Sequence, residues 1–378
     1  MKRLFFPLAA LALLTLSGCG LSRGIYSNYR AIEELQLVRT LGLDADGGAL
    51  VLSAAAARAQ DGGAPVIARC AAAGIPQGLD ALQLRVPRGQ LHFAHTQYIV
   101  LGEDYAARGV GDALDFVERD IHTRLGASLF VVRDGTAEAL LTGSGEGWDV
   151  GDVLTEVLAE TSRHGDCCVF DARETAVDLS EYGAALICSL RLKDTQDSVF
   201  GLPPGLTAVP DGYGILRGGA LVGWLDGADA RAASFVRGKL GTVTLSVPAG
   251  GGTVTVELSA PPPEIELVSA EGGIVLSLSA APEAVIVGQT ETKPDTRSLA
   301  AALDAQLREA LERVLERARA ENCDFLALTR ALRTQGVAPA ALPPDWLRTL
   351  DARVTVHTTV RPGYDMDARA GTDGGGAA

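Results

Sequence analysis

The amino-acid sequence predicts an α+β, mixed α/β body of three domains, with mixed sheets and packed helices, behind an export signal. After residue 90, short apolar runs alternate with segments whose apolar residues recur every three or four positions, which is typical of strands separated by helices. Glycine-rich turns join further apolar runs into hairpins. Proline-rich stretches near residues 203 and 262 indicate domain boundaries.

The N-terminus has the form of a lipoprotein signal peptide. Lys2 and Arg3 supply positive charge, and Leu4 to Leu16 form an apolar core of 13 residues. That length suits a secretory signal and is short for a membrane span, which needs ~20 apolar residues. Small residues lead into Cys19, so we predict a signal peptide over residues 1–18 and a lipid on Cys19. The alternatives are an ordinary signal peptide or an uncleaved anchor, in either case with an incidental cysteine.

Composition restricts the classes of function. The chain has 378 residues, a formal net charge of −14 and 47% hydrophobic residues. Such an acidic body argues against nucleic-acid binding, which depends on clustered Lys and Arg side chains. No later run of 18 apolar residues occurs, so we expect the lipid alone to hold the body to the membrane. Lipidation would leave five of the six cysteines, an odd number, and we expect buried free thiols.

The first part of the body is predicted to be a tether over residues 19–34 and an N-terminal mixed α/β domain over 35–200. This domain opens with apolar runs around Asp44-Ala45-Asp46-Gly47-Gly48, which predict a hairpin. The cluster faintly resembles a calcium loop, but Ala55 stands where that loop needs a glutamate. The pattern predicts strands over 97–101, 128–132 and 184–192, and helices over 110–119, 136–141 and 150–161.

The second part is predicted to hold two further domains. Residues 206–260 form a small middle domain, in which hairpins around Gly218-Gly219 and Gly250–Gly252 flank a helix over Asp226–Arg237. Residues 263–363 form an α+β domain whose long helix, 298–320, has an apolar stripe. The remaining elements are strands over 264–268, 273–278, 284–287 and 354–360, and a helix over 324–333. We expect the Gly- and Asp-rich tail, 366–378, to be disordered.

No motif of a catalytic or nucleotide-binding site occurs, including the phosphate loop, H-E-x-x-H and G-x-S-x-G. His92 and His95 are three residues apart beside a predicted strand and would largely face different ways. Adjacent Cys167 and Cys168 lack a flanking motif, which favours a structural role. We therefore expect no metal, no cofactor and no catalytic activity.

Four segments, in order, resemble the Ger(x)C spore germination lipoproteins. The first runs from His95 through Glu103 to Asp120, and the second from Arg124 to Ala137. The third covers Leu221 to Lys239, and the fourth combines the long helix with the aromatic pairs and valine-rich strand that follow it. Each segment is weakly specific alone, but together they extend the resemblance from the lipidation signal to about residue 363. Two stretches depart from the family pattern, Gly20-Leu21 and Phe325–Leu328.

The resemblance implies a non-catalytic C subunit of a spore nutrient-germinant receptor, needed for receptor assembly and the germination response. Its lipid would hold it on the outer face of the spore inner membrane. The implied partners are the receptor's A subunit and a transporter-like B subunit, both integral membrane proteins. One alternative, a solute-binding lipoprotein of a membrane transporter, predicts two similar doubly wound lobes. A second alternative, a surface hydrolase, would need a nucleophile or a metal site, and the sequence shows neither.

Charged residues within the resembling segments are the remaining candidates for a functional role. Charges are rarely buried without a partner, so these side chains should either form ion pairs within the fold or face the A or B subunit. The candidates are Glu103, Arg119, Asp120, Arg124 and Arg231.

Overall fold

The computed structural model describes residues 35–363, except 58–64, 87–88, 121–122, 144–147, 165–166, 196–204, 250–251, 271–272, 290–294, 337 and 339–341. The predicted signal peptide, tether and tail lie outside these residues. The strands are β1 (Leu35–Asp46), β2 (Ala49–Ala56), β3 (Ile67–Ala72), β4 (Gln90–His92), β5 (Tyr98–Gly102), β6 (Ser128–Arg133), β7 (Phe170–Asp171), β8 (Ala184–Thr195), β9 (Gly205–Arg217), β10 (Ala220–Leu225), β11 (Val243–Ala249), β12 (Gly252–Ser259), β13 (Glu264–Ala270), β14 (Gly273–Ala280), β15 (Glu283–Gln289), β16 (Asp351–Val356) and β17 (Thr359–Arg361). The helices are α1 (Ile75–Gln83), α2 (Glu103–Arg108), α3 (Gly111–Arg119), α4 (Ala137–Thr142), α5 (Val150–His164), α6 (Ala172–Tyr182), α7 (Gly227–Val236), α8 (Thr296–Glu321) and α9 (Leu328–Thr334).

The largest sheet holds ten strands, with the parallel strands β1, β5, β6 and β8 in its middle. Antiparallel strands extend it on both sides, β2 and β3 beyond β1, and β9 and β10 beyond β8. The strand order is β10-β9-β8-β6-β5-β1-β2-β3, and β4 and β7 pair with β1 and β6 off this path. The mixed α+β class predicted from the sequence is therefore confirmed.

The first hairpin, between β1 and β2, depends on a few residues at and beside its turn. Gly47 and Gly48 form its turn with φ of 53° and 100°, a region that glycine adopts without strain. The Asp44 carboxylate makes its hydrogen bonds away from the turn. It accepts from the first two backbone amides of α4, at 2.7 and 2.8 Å. A side chain at Gly102 would place its Cβ 2.1 Å from Asp44 Oδ1, so the cap requires glycine there. The predicted hairpin is confirmed, and Asp44 caps a helix.

Alternate residues of the central strands build two cores, one on each face of the large sheet. Val100 and Phe130 belong to the first core, together with buried residues of α4, α5, α7 and α8. Ile99 and Val131 belong to the second, which α1, α2, α3 and α6 cover. The C-terminal part of the chain therefore closes one face of the N-terminal sheet.

The middle segment is shared between sheets. The predicted boundary at 201–205 falls largely on undescribed residues, but β9 pairs with β8 from Gly205 to Arg217. The hairpin that was predicted to open a separate middle domain instead completes the N-terminal sheet, while β12 pairs with β15. Turn and periodicity signals are local, so they could not show which sheet a hairpin joins. The division into domains 35–200, 206–260 and 263–363 otherwise stays a prediction.

Two small sheets, β11-β12-β15-β17 and β13-β14-β16, complete the fold. The sequence predicted one last strand over 354–360, and this prediction was wrong. The structure divides the segment into β16, parallel to β14, and β17, parallel to β15 in the other sheet. The chain crosses between sheets beside the β14–β15 connection, where the amides of His357 and Thr359 donate to the carbonyls of Ala280 and Pro282.

The long helix α8 confirms the predicted apolar stripe. Its buried residues pack against α7 and against strands of both small sheets. Asp295 caps its N-terminus by accepting hydrogen bonds from the amides of Arg297 and Ser298. Within the described part of the chain, no helix combines the length and the apolar character needed to cross a membrane. The buried stripe is Leu299, Leu303, Ala310, Leu311, Val314, Leu315 and Ala318.

Asp324 explains why the next helix starts later than predicted. The sequence predicted a helix over 324–333, whereas α9 begins at Leu328. The Asp324 carboxylate accepts from the amides of Leu328 and Thr329 at 2.7 and 2.8 Å, and from the Thr329 hydroxyl at 2.5 Å. Burial raises the pKa of Asp324 to about 6, although these hydrogen bonds lower it.

Arg237 and Lys239 bind the segment after α7 to helix α6. Arg237 Nη2 lies 2.6 Å from Asp178 Oδ2, with side chains 7% and 9% exposed, and Lys239 Nζ lies 2.6 Å from Glu174 Oε1. Both cations lie over the ring of Phe170, 5.1 and 4.4 Å from its centroid. We call these five residues the Phe170 clamp. Burial raises the pKa of Asp178 more than Arg237 lowers it. At Glu174 burial also raises the pKa, but the hydrogen bond and charge of Lys239, together with the Asp171 amide and the charge of Arg237, lower it overall.

Replacing Arg237 by methionine should destabilise the protein strongly, because it leaves the buried Asp178 carboxylate without its counter-charge. We expect a loss of about 3–5 kcal/mol in the free energy of unfolding, measured by urea denaturation. Arg313→Met is the matched control, since Arg313 pairs with Asp229 while 44% exposed and should cost about 1 kcal/mol or less. Equal losses in the two variants would contradict a buried clamp.

Asp324→Asn should change how stability depends on pH. Because the pKa of Asp324 is about 6 in the folded state against an ordinary 3.8, the folded protein keeps a proton that the unfolded chain releases in this window. The contribution of Asp324 to stability therefore falls as pH rises from about 4 to 6, by roughly 3 kcal/mol. Asparagine cannot ionise, so wild type should lose stability relative to the variant across this window in urea titrations. A difference that is constant with pH would refute the assignment.

Candidate functional site

Ion pairs connect the carboxyl ends of the central strands β6 and β8. Arg133 Nη1, at the end of β6, lies 3.1 Å from Asp211 Oδ2 and 2.6 Å from Asp226 Oδ1. The Arg133 guanidinium lies over the ring of Trp224, 4.9 Å from its centroid. Arg191 of β8 extends the network, because it contacts the same Asp211 at 2.9 Å.

Glu103 belongs to this edge of the sheet. Its Oε2 accepts a hydrogen bond of 2.5 Å from the backbone amide of Asp134, and the Glu103 amide donates to the carbonyl of Gly135. Asp134 has a positive φ of 55° and pairs with Arg191 at 2.6 Å. Glu103 therefore joins the first resembling segment to the second within the fold.

The other sequence-predicted candidates lie apart from Glu103. Arg119 and Arg124 are exposed; Arg119 pairs with Asp115 one turn earlier at 2.6 Å, whereas Arg124 forms no ion pair with any described residue. Asp120 is half-buried and accepts a 2.5 Å hydrogen bond from the Thr123 hydroxyl. Arg231 is half-buried on α7 and lines a small apolar cavity against α8. Cys19 lies outside the described residues.

An open groove of about 1700 Å³ follows the sheet face that α1, α2 and α3 cover. Its lining extends from Leu35, the first described residue of β1, to the hairpin turn at Gly48. This volume exceeds the ~300–1,000 Å³ of ordinary small-molecule pockets, so the groove has room for a peptide segment. Apolar side chains in its lining include Leu50, Ile75, Leu79, Leu91, Phe93 and Phe116.

Acidic residues dominate the charge of this groove. Its lining contains four aspartates, two arginines and His92. Because Asp115 and Arg119 neutralise each other, Arg108 is the remaining arginine beside the other three aspartates. The groove thus combines an apolar lining with a negative charge, and two of the predicted candidates belong to it. The aspartates are Asp80, Asp112, Asp115 and Asp120.

Tyr105 supplies an unsatisfied polar atom among the lining residues. The side chain is 7% exposed, and its hydroxyl has no hydrogen-bond partner within the described residues. Burial and the charge of Asp112 raise the pKa of Tyr105 to about 12, against a smaller opposing effect of the Ala113 amide. A buried donor without a partner costs about 1–3 kcal/mol.

The described residues contain no group of three or more His, Cys, Asp or Glu side chains placed to hold a metal ion. The rings of His92 and His95 lie 5.6 Å apart and are tilted by 49°. All five cysteines after Cys19 are free thiols, and each is buried except the half-buried Cys168. Burial raises the pKa of Cys323 to about 11, which disfavours the thiolate that a nucleophile requires.

Sequence reasoning missed the charged residues with the strongest structural roles. Arg133, Arg191 and Arg237 each find a carboxylate far along the chain. The sequence did contain a signal for these ion pairs. An arginine in or beside an apolar strand or helix is partly buried and therefore needs a carboxylate partner. The sequence could not identify the partner, since Asp178 and Asp226 lie dozens of residues away.

Comparisons with known proteins agree with this architecture. The crystal structure of the GerBC protein is similar, with a TM-score of 0.56 and 17% identity over 85% of this chain and 96% of that one. At 17% identity, this structural similarity shows a shared fold and nothing further about function. No curated protein sequence matches the chain.

Two family models match most of the sequence. "Spore germination protein N-terminal domain" matches residues 28–191, and "Spore germination B3/GerAC like, C-terminal" matches residues 211–362. The resemblance identified from the four sequence segments is thereby confirmed. The chain belongs to the Ger(x)C family of spore germination proteins, the family of the germinant-receptor C subunits.

Proposed function

We propose that this chain is the lipid-anchored, non-catalytic C subunit of a spore nutrient-germinant receptor, required for receptor assembly and the germination response. The observation that carries the proposal is family membership over both halves of the chain. The lipidation signal ending at Cys19 supports attachment on the outer face of the spore inner membrane. Two acyl chains on one glycerol are sufficient for stable anchoring.

The A subunit and the transporter-like B subunit are the proposed partners. Support comes from α3 and the residues after it, where Arg119 and Arg124 are exposed in a segment that resembles the family. Neither residue has an evident role in packing, in contrast to Glu103, whose carboxylate binds the backbone at Asp134. We propose that Arg119, Asp120 and Arg124 face a partner, while Glu103 and Arg231 stabilise the fold.

The transporter-associated alternative receives no support from the architecture. A solute-binding lipoprotein was expected to have two similar doubly wound lobes. The described residues instead form one ten-stranded sheet and two small sheets of four and three strands.

Cys19→Ala should abolish lipid attachment and leave an uncleaved precursor. Intact mass and detergent-phase partitioning of spore membranes would measure the attachment, and loss of optical density after nutrient addition would measure germination. We expect impaired germination, which an unrelated transmembrane anchor fused to the Cys19→Ala body should restore. Normal fractionation with full function in Cys19→Ala would refute the anchor.

Charge reversal at Arg119 and Arg124 should separate a docking role from a structural role. Because both side chains are exposed, the melting temperature of Arg119→Glu/Arg124→Glu should match wild type, while co-purification with the A and B subunits from spores should fall at least about tenfold. Arg85→Glu/Arg173→Glu is the control, since it makes the same change in net charge at two exposed arginines outside the four resembling segments. A lowered melting temperature would indicate a structural role, and unchanged co-purification would refute the docking surface.

A further inference from the structure

Two cysteine side chains meet inside the first core of the large sheet. Cys167 precedes β7, Cys188 lies in β8, and their Sγ atoms are 3.8 Å apart. The two residues are 1% and 0% exposed. The sulfur atoms of a disulfide are about 2.0 Å apart, so the two thiols would have to approach each other by about 1.8 Å to become bonded.

The backbone at both cysteines is held by the same tyrosine. Cys188 lies between β6 and β9 in the sheet, and its partner on β9 is Tyr213. The backbone amide of Cys168, next to Cys167, donates to the Tyr213 hydroxyl at 2.6 Å. That hydroxyl also shares a hydrogen bond of 2.7 Å with the hydroxyl of Ser234. The contact between the two thiols is therefore built into the core.

We propose that Cys167 and Cys188 form a disulfide bond in the exported protein. The proposal rests on the export that is part of the proposed function, because disulfides form and persist outside the cytoplasm. The two thiols lose two protons and two electrons as their sulfur atoms bond. A second disulfide, from a small molecule or an oxidoreductase, accepts both and leaves as two thiols. Cys70, Cys168 and Cys323 remain reduced.

Burial determines when this bond forms. Exchange between thiols and disulfides needs an accessible thiolate. In the folded protein, the hydrogen bond with Cys167 and complete burial raise the pKa of the Cys188 thiol well above its ordinary value. The bond therefore forms while the exported chain folds, before the core closes. The closed core then shields the bond from reductants, so its role is structural.

The disulfide would secure helix α6 to the sheet. The covalent loop from Cys167 to Cys188 contains Phe170, Glu174 and Asp178, which are three of the five residues of the Phe170 clamp. The clamp joins α6 to the segment after α7, and the bond joins the chain before α6 directly to β8. A cross-link of this kind stabilises a fold by restricting the unfolded chain.

Peptide mapping of the mature chain from spore membranes tests the proposal. Denatured protein is alkylated with N-ethylmaleimide without reductant, digested and analysed by mass spectrometry. We expect the peptides that contain Cys167 and Cys188 to be linked, two hydrogen masses below their sum, and Cys70 and Cys323 to be alkylated. Alkylation of both Cys167 and Cys188 in most of the protein would overturn the proposal.

Cys168 provides the matched control, because it is adjacent to Cys167 and its thiol donates elsewhere, to the carbonyl of Lys239 at 2.5 Å. The link should persist in Cys168→Ala and be lost in Cys167→Ala. A link that survives in Cys167→Ala would overturn the pairing.

Refolding in a test tube separates the geometry from the export. The reduced, denatured mature chain is refolded with oxidised and reduced glutathione, or with reduced glutathione alone. The oxidised product should contain the same link and melt at least about 4 °C above the reduced product, whereas the two products of Cys167→Ala should melt together. Absence of the link here would overturn the proposal on its geometry. A link formed here but missing in spores would overturn it on the compartment, and the mass of the Cys19 peptide would show separately whether the chain was lipidated.

Discussion

The parallel arrangement of β1, β5, β6 and β8 is the constraint on which the rest of the structure depends. Central parallel strands are apolar on both faces, so both faces must be covered. Helices α1, α2, α3 and α6 cover one face, and α4, α5, α7 and the C-terminal helix α8 cover the other. The C-terminal half is therefore part of the same core, and the open groove marks the place where the helical cover is incomplete.

The segments that identify the family are mostly those that close this core. The stretches around Glu103 and Asp134 are the ends of neighbouring strands, joined by a hydrogen bond from the Asp134 amide to the Glu103 carboxylate. The stretch ending at Lys239 supplies both cations of the Phe170 clamp. These contacts give both segments a role in folding.

Sequence patterns predicted the local elements well and their assembly poorly. Spacing located α8 and its buried stripe, and paired glycines located the hairpins, because both signals act over a few residues. Two features of the assembly depend on hydrogen bonds to distant strands. One is the crossing of the chain between sheets at His357, and the other is the pairing of β9 with the N-terminal sheet. The groove was missed for the same reason, since Asp80, Asp112 and Asp120 become neighbours of one cavity only after folding. Arg237, which pairs with the distant Asp178, was not among the charged candidates that the sequence suggested.

The path by which the chain enters the fold has a mechanical consequence. The segment before Leu35 leads directly into β1, an interior strand bonded to β2 on one side and to β4 and β5 on the other. Tension applied through that segment acts along the strand and loads these hydrogen bonds in shear, many at a time. An edge strand would instead yield by peeling, one bond after another. Resistance to pulling is governed by the rate of unfolding, so this entry point favours a body that stays folded under load.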